Sequence, residues 1–260
     1  MKRQVPGETG LSRIVKILES FNQGQSIMTR AEVVRRTGLP AASTYRLINE
    51  MLREGFLDPA DGGIQTGVRL WELASRESRT LKLRSTALPF MEDLQEAIQQ
   101  HTQLSILEGT DILYIERLSA PTAVTNIARV AGRMPASITA AGLVLTAFAS
   151  LQTQEAVLSS PLPSFTSKTP RSTAGFDRIL ADIRLKGYAR TDGWIDEGVT
   201  GLGLPIRDST KAVIAALSLL LPNDASTAIA ALPAAQIVAA SISRALGWDP
   251  RGSLSLHGRY

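Results

Sequence analysis

The chain has 260 residues, 28 Lys and Arg against 24 Asp and Glu, a formal net charge of +4, two histidines and no cysteine. That length supplies one large domain or two ordinary ones. The composition excludes disulfides, thiolate metal sites, a cysteine nucleophile and a three-His zinc centre, so no metal or cofactor is expected and a cytosolic, non-redox protein fits.

The first residues, MKRQVPGETG, carry charge without an apolar run behind them, which is not a signal-peptide pattern. Leu11, Ile14, Val15, Leu18 and Phe21 recur at helical spacing and predict a first helix that Asn22, Gln23 and Gly24 would end. Thr29-Arg30-Ala31-Glu32 reads as a capping box opening a short second helix, with Val33 and Val34 on its buried side and Gly38 as its stop. Pro40 then opens a third helix, where its missing N–H is not needed. Leu47, Ile48, Met51 and Leu52 line one face of it, and Ala42, Ser43, Arg46, Asn49 and Arg53 fall largely on the other. Phe56-Leu57 and Ile64-Gln65-Thr66 flank the turn-rich segment 58–63 as a hairpin. A short capped helix, a glycine turn, a longer helix and a hairpin make a winged helix-turn-helix.

The charge agrees with this. Residues 1–84 carry 14 basic and 9 acidic side chains, a net of +5, and the remainder carries 14 and 15, a net of −1. A basic module joined to a near-neutral one is the footprint of a nucleic-acid reader, although a solvated basic surface looks the same by charge alone. On the third helix, Ala41 and Ala42 are small enough for close approach to base edges. Ser43, Thr44 and Tyr45 carry hydroxyls for phosphate or bases, Arg46 reaches phosphate or a guanine edge, and Asn49 lies one turn further along. Arg30, at the start of the second helix, reads as a backbone clamp.

Residues 68–84 read as a polar helix with scattered Leu70, Leu73, Leu81 and Leu83, and Ala87 to Gln100 as another helix with Leu88, Met91, Leu94 and Ile98 on one stripe. Leu104 to Leu107 and Ile112 to Ile115 form a hairpin around Glu108-Gly109-Thr110-Asp111. Gly175 to Lys186, Val213 to Leu221 and Ala228 to Leu246 read as helix, strand and helix, giving an α+β domain around a mostly antiparallel sheet. The most apolar runs, Ala212 to Leu221 and Ala225 to Ala240, are short of the ~20 residues that cross a bilayer and are interrupted by Pro222, Asp224 and Pro233, so no membrane span is expected. Thr139 would cap a helix starting at Ala140, Ala141 and Gly142, whose free N–H groups suit a carboxylate as well as they suit plain packing. The glycine-dense stretch Gly198 to Gly203 lacks the dinucleotide fingerprint, because Ile206 stands where glycine is needed. Catalysis is not expected: neither His101 nor His257 reads as a triad member, and the adjacent Asp196 and Glu197 point apart.

The segment Thr37 to Leu47 resembles the recognition-helix signature of the IclR family of bacterial transcription regulators, with Gly38, Leu39, Pro40, Arg46 and Leu47 matching and Ala41 and Ala42 departing. Gly132-Arg133-Met134-Pro135 with Thr139 to Gly142, and Gly187-Tyr188-Ala189 with Gly198-Val199 and Pro205 to Asp208, are similar to two further stretches of that family. The resemblance implies a winged helix-turn-helix over 1–67, a linker helix over 68–84, a C-terminal α/β effector-binding (GAF-like) domain over 85–250 and a flexible tail over 251–260. It further implies a homodimer, and dimers of dimers in some members, on double-stranded operator DNA, with repression the commoner outcome and a small-molecule effector. Residues carried over as effector contacts are Met134, Ala140, Ala141, Gly142, Thr191, Asp192, Gly201, Ser218 and Leu220. Ser137 stands where His is common and Leu143 where Lys is frequent. With Gly201 and Leu220 widening the cavity and Trp194 as a flat wall, the expected effector is a carboxylate with a sizeable apolar or aromatic body. A different class of protein, a ligand-binding scaffold whose winged helix serves a protein partner, is separated from this reading by DNA binding that depends on Arg46.

Overall fold

The computed structural model describes residues 9–21, 26–76 and 78–250; the expected stops Asn22, Gln23 and Gly24, the tail 251–260 and His257 lie outside the described residues. The chain divides into two compact units, residues 1–78 and 79–260.

In the first unit, α1 (Gly10–Glu19), α2 (Arg30–Thr37) and α3 (Ala41–Arg53) precede the hairpin β1 (Leu57–Ala60) and β2 (Gly63–Thr66) and a last helix, α4 (Val68–Ser75). Local chemistry explains the boundaries. The Thr29 hydroxyl accepts the Glu32 N–H at 3.2 Å, closing the start of α2, and Gly38 ends it at φ 65°, a conformation that a Cβ would disfavour. Ile17, Val33, Leu39, Leu47, Ile48, Met51, Leu57 and Ile64 form its core, each worth about 1.5–3 kcal/mol on full burial. The strands run closer to the tip than expected, leaving only Asp61-Gly62 as the turn, and Met28 adds a bridge to Ile64. Gly63 is required there: a Cβ on it would sit 2.2 Å from the Met28 carbonyl oxygen.

The second unit opens with α5 (Arg79–Ile98), followed by β3 (His101–Glu108), β4 (Asp111–Leu118) and β5 (Arg133–Pro135). Helices α6 (Ala140–Ala147), α7 (Leu151–Ser159) and α8 (Phe176–Lys186) come next, then strands β6 (Ala189–Asp192), β7 (Val199–Arg207) and β8 (Val213–Pro222), and finally α9 (Ala225–Ala245). The sheet order is β5-β4-β3-β8-β7-β6, with every neighbouring pair antiparallel. One face carries α5 and α9 over Leu104, Ile115, Leu202, Leu204, Leu217 and Leu219; the other carries α6 and α8 over Ile112, Tyr114, Ala189 and Ala216. Strand alternation sorts the residues, since Leu217 and Leu219 face one layer and Ala216 and Ser218 the other.

Two helices differ from the sequence reading. The helix expected over 68–84 is divided, because Arg76 is extended (φ −70°, ψ 114°) and the run Ser75 to Thr80 holds no apolar side chain to pack. Instead α5 is continuous through Pro89, held by the buried stripe Leu83, Ala87, Met91 and Leu94. Likewise α9 is unbroken through Pro233 for 21 residues, long and apolar enough by length and composition to cross a membrane, and here it lays Ala228, Ala231, Ala235, Ala239 and Ile242 on the sheet.

Candidate functional site

On the first unit, α3 turns Ala41, Ala42, Tyr45, Arg46 and Asn49 outward on one side, and Arg30 is exposed at the start of α2. Arg46 Nη1 lies 2.8 Å from Glu50 Oε1. This exposed pair is worth at most about 1 kcal/mol, so a phosphate or base edge can take the guanidinium from it. The Ser43 hydroxyl donates to the Pro40 carbonyl at 2.9 Å. Thr44 is placed differently from the expectation: it is fully buried and its hydroxyl donates to the same carbonyl at 3.0 Å. It lies three, four and seven residues before Leu47, Ile48 and Met51, on the apolar stripe, so helical periodicity carries its side chain inward.

On the second unit, the α6 face of the sheet holds a cavity of about 230 Å³. That is below the roughly 300–1,000 Å³ of drug-sized pockets and suits a single-ring ligand. Seven of the nine expected contacts line it: Met134, Ala140, Ala141, Thr191, Gly201, Ser218 and Leu220. Register explains the grouping. Thr191 pairs with Gly201, and Gly201 with Leu220, so all three point to one face. Asp192, next to Thr191, points to the opposite face, where it accepts from Arg190 Nε at 2.7 Å and the Thr200 hydroxyl at 2.8 Å. Gly142 is off the wall too: its N–H donates to the Thr139 hydroxyl at 3.1 Å, and a Cβ there would lie 2.2 Å from the Ala136 carbonyl oxygen. Its role is close packing and the closing of the cap.

The N–H groups of Ala140 and Ala141, in the first turn of α6, have no intrahelical acceptor by position. Both residues line the cavity, with the helix dipole behind them. Trp194 supplies a wall, as expected, braced by Phe176 with ring centroids 6.5 Å apart. The thiol-free, hydroxyl-rich lining contains no Lys or Arg among the described residues, and its one acid, Asp196, accepts the Gly198 N–H at 2.8 Å.

Sequence reasoning missed a polar patch on this wall. Gln103 is 1 % exposed; its Oε1 accepts from the Ser218 hydroxyl at 3.3 Å and its Nε2 donates to Asn126 Oδ1 at 3.3 Å. Asn126 Oδ1 also accepts the Ala128 N–H at 2.8 Å, while Asn126 Nδ2 is buried without an acceptor among the described residues. Thr125, Ile127, Tyr114 and Phe165 complete this side, and burial pushes the Tyr114 hydroxyl well above its ordinary pKa. The available signal was strand alternation, which puts Gln103 on the same face as Ser105 and opposite Leu104.

His101 begins β3 and is buried, with Nε2 donating to the Val124 carbonyl at 2.6 Å and Nδ1 bonded to the Ser119 hydroxyl at 2.8 Å. Burial, with the nearby Arg117 charge, pulls its pKa below 6.5. Both ring nitrogens are engaged, one by a backbone carbonyl and one by a side-chain hydroxyl, which is a structural arrangement.

Comparison with known proteins places this geometry. Residues 77–243 match the family described as bacterial transcriptional regulator IclR C-terminal, and residues 10–60 match the IclR helix-turn-helix domain. Among solved structures, an IclR homolog from Microbacterium hydrocarbonoxydans complexed with 4-hydroxybenzoate is 39% identical with a TM-score of 0.85, over 92% of this chain and 99% of that one. An IclR homolog from Microbacterium sp. strain HM58-2 is 36% identical with a TM-score of 0.60, over 93% of this chain and 99% of that one. The HTH-type transcriptional regulator XynR of Escherichia coli strain K12 is 28% identical over 212 residues, 80% of this chain and 84% of that protein. The chain thus belongs to the IclR family of bacterial transcriptional regulators, with a DNA-binding helix-turn-helix preceding the α/β domain that holds the cavity.

Proposed function

We propose that this regulator binds an aromatic carboxylate in the α6-side cavity and that the ligand changes its affinity for operator DNA. The observation that carries the reading is the cavity itself: apolar walls from Met134, Trp194 and Leu220, free N–H groups of Ala140 and Ala141 at one place, and the Gln103, Asn126 and Ser218 patch at another. The helix start takes the carboxylate through hydrogen bonds and dipole, the ring lies against Trp194, and the amide patch takes a ring substituent with lone pairs. That a 39% identical relative was crystallised with 4-hydroxybenzoate supports the same chemistry here.

On the DNA side, Arg46, Asn49, Tyr45, Ser43, Ala41 and Ala42 enter the major groove and Arg30 holds the backbone. The chain acts as a homodimer in the bacterial cytoplasm. Leu11 and Val15 on α1, and Val68, Trp71 and Leu73 on α4, are exposed apolar side chains that pairing would cover, and α4 has no buried residue of its own. Two copies then present recognition helices to half-sites about one helical turn apart. Ligand acts by having different affinity for the DNA-competent and incompetent arrangements, with repression as the default.

Calorimetry of the full chain with 4-hydroxybenzoate, benzoate and glyoxylate tests the ligand class. Binding of the aromatic acids with no measurable glyoxylate binding is expected; tight binding confined to glyoxylate-sized acids would overturn it.

A further inference from the structure

The cavity's outer wall is a strap, residues 119–131, which joins β4 to β5 without regular structure. Thr125 to Ala128 face the ligand space, while Ile127 and Val130 are largely exposed. The strap is held by a few polar contacts. His101 takes the Val124 carbonyl and the Ser119 hydroxyl, and the Gln100 side chain accepts the Val124 N–H at 3.1 Å. Arg117 Nη1 donates to the Ala128 carbonyl at 2.6 Å and its Nε to the Ser119 hydroxyl at 3.1 Å. The strap returns through Ala131 at φ 63°, a strained conformation for a residue with a Cβ.

Arg117 has a neighbour on the other side of the sheet. The β3–β4 register shifts at Leu104/Ser105, so that Ser105 opposes Tyr114 and Leu104 opposes Glu116, leaving Ile115 as the extra residue of a bulge. Without the bulge, Glu116 would share the cavity face with Tyr114. With it, Glu116 opposes Leu104 on the α5 face and Arg117 opposes Gln103 on the cavity face. There the nearly buried Glu116 carboxylate meets Arg84 Nη2 at 2.6 Å, on the second turn of α5, and its other oxygen accepts the Arg117 N–H at 2.8 Å. A contiguous path therefore runs from the strap through Arg117 and Glu116 to Arg84, in the helix that directly continues the chain from the DNA-binding unit.

We propose that Glu116 and Arg117 are positioning residues of a through-sheet relay, by which the strap over the ligand and the first turns of α5 move together. This rests on the ligand reading above. A ligand that takes the open Nδ2 of Asn126 sets the strap's position. Arg117 then carries that choice to Glu116, and the Arg84 ion pair sets the helix that leads to DNA. Energetic coupling needs an element with two arrangements, and the strap, which has no regular structure and is held by side-chain bonds at Val124, Asn126 and Ala128 and by the Ala131 N–H on the Tyr114 carbonyl at 2.8 Å, is that element.

Two measurements on the full chain decide this. In the first, without ligand, Arg84→Met should speed amide exchange across 119–131 by about five-fold or more, while α9 exchanges as in wild type. Arg117→Met should do the same to the first turns of α5, and Arg84→Lys should restore the wild-type pattern. Exchange changed only beside each substitution overturns the relay. In the second, an operator fragment is selected from genomic DNA by the wild-type chain, and its affinity is measured with and without 4-hydroxybenzoate. Arg84→Met should bring the ratio at least about five-fold nearer to one without changing ligand affinity; a wild-type ratio overturns the relay. If wild type itself does not bind 4-hydroxybenzoate, the ligand reading fails and the exchange measurement still decides the relay.

Discussion

A Cβ built on Gly201 would lie 2.6 Å from the Thr191 hydroxyl oxygen and 3.4 Å from Ala140 Cβ, so the cavity floor exists because this strand position has no side chain. Gly201→Ala should therefore weaken 4-hydroxybenzoate binding about ten-fold, roughly 1.4 kcal/mol, by filling the floor and displacing Thr191. Titration calorimetry reads this. Operator affinity without ligand should stay at the wild-type value.

Gln103 offers a second test, of ring recognition. Gln103→Leu removes the amide that ties Ser218 to Asn126, and should cost 4-hydroxybenzoate about ten-fold while leaving benzoate within about two-fold. Equal losses for both acids would show that the ring substituent is not read at this patch.

Arg46 and Thr44, two residues apart on α3, should behave oppositely. Arg46→Ala is expected to abolish operator binding in a gel shift with little change in melting temperature, because its pair with Glu50 is solvent-screened. Thr44→Val should leave operator affinity within about two-fold and cost about 1 kcal/mol of stability, by losing the buried bond to the Pro40 carbonyl. Binding by the wild type should also weaken steeply with salt.

In the wing, Gly63→Ala drives a Cβ into the Met28 carbonyl. Backbone cannot yield as a side-chain tip can, so a loss of about 3 kcal/mol is expected for the DNA-binding unit. Denaturant unfolding should show it in that unit's transition, with ligand binding by the other unit retained.

His101 gives the second unit a pH signature. Burial holds its folded pKa below 6.5, so on acidification the unfolded chain takes up this proton first. Its contribution is then intact above the unfolded value near 6.5 and lost as pH falls toward the folded one. Comparing urea melts at about pH 7.5 and about pH 5.5, His101→Gln should lose less stability than wild type on acidification. An equal loss would mean that this histidine is not the group responsible.

Much of the DNA-binding unit was legible in the residues because its signals are local. Thr29 caps within three residues, Gly38 accepts a left-handed backbone, and the Leu47, Ile48, Met51 stripe repeats at helical period. The same period carried Thr44 inward, and reading its hydroxyl as a polar contact overlooked that. The cavity was half legible. Thr191, Gly201, Ser218 and Leu220 could be placed together by resemblance, whereas Gln103 and the strap at 125–128 had no local motif to mark them.

The sequence by itself determined the two modules, the +5 charge of the first 84 residues, the capped second helix with the recognition helix after it, and the absence of thiol chemistry. Caps, charge and periodicity act over one or two helical turns, so they are written in consecutive residues. Only the tertiary structure decided that Gln103 meets Ser218, 115 positions away, that Asp192 and Gly142 turn from the cavity, and that a bulge at Ile115 puts Glu116 on the α5 face and Arg117 on the cavity face. Strand register sets these. A shift of one residue exchanges the two faces of a strand, and which register holds is settled by packing across the whole sheet.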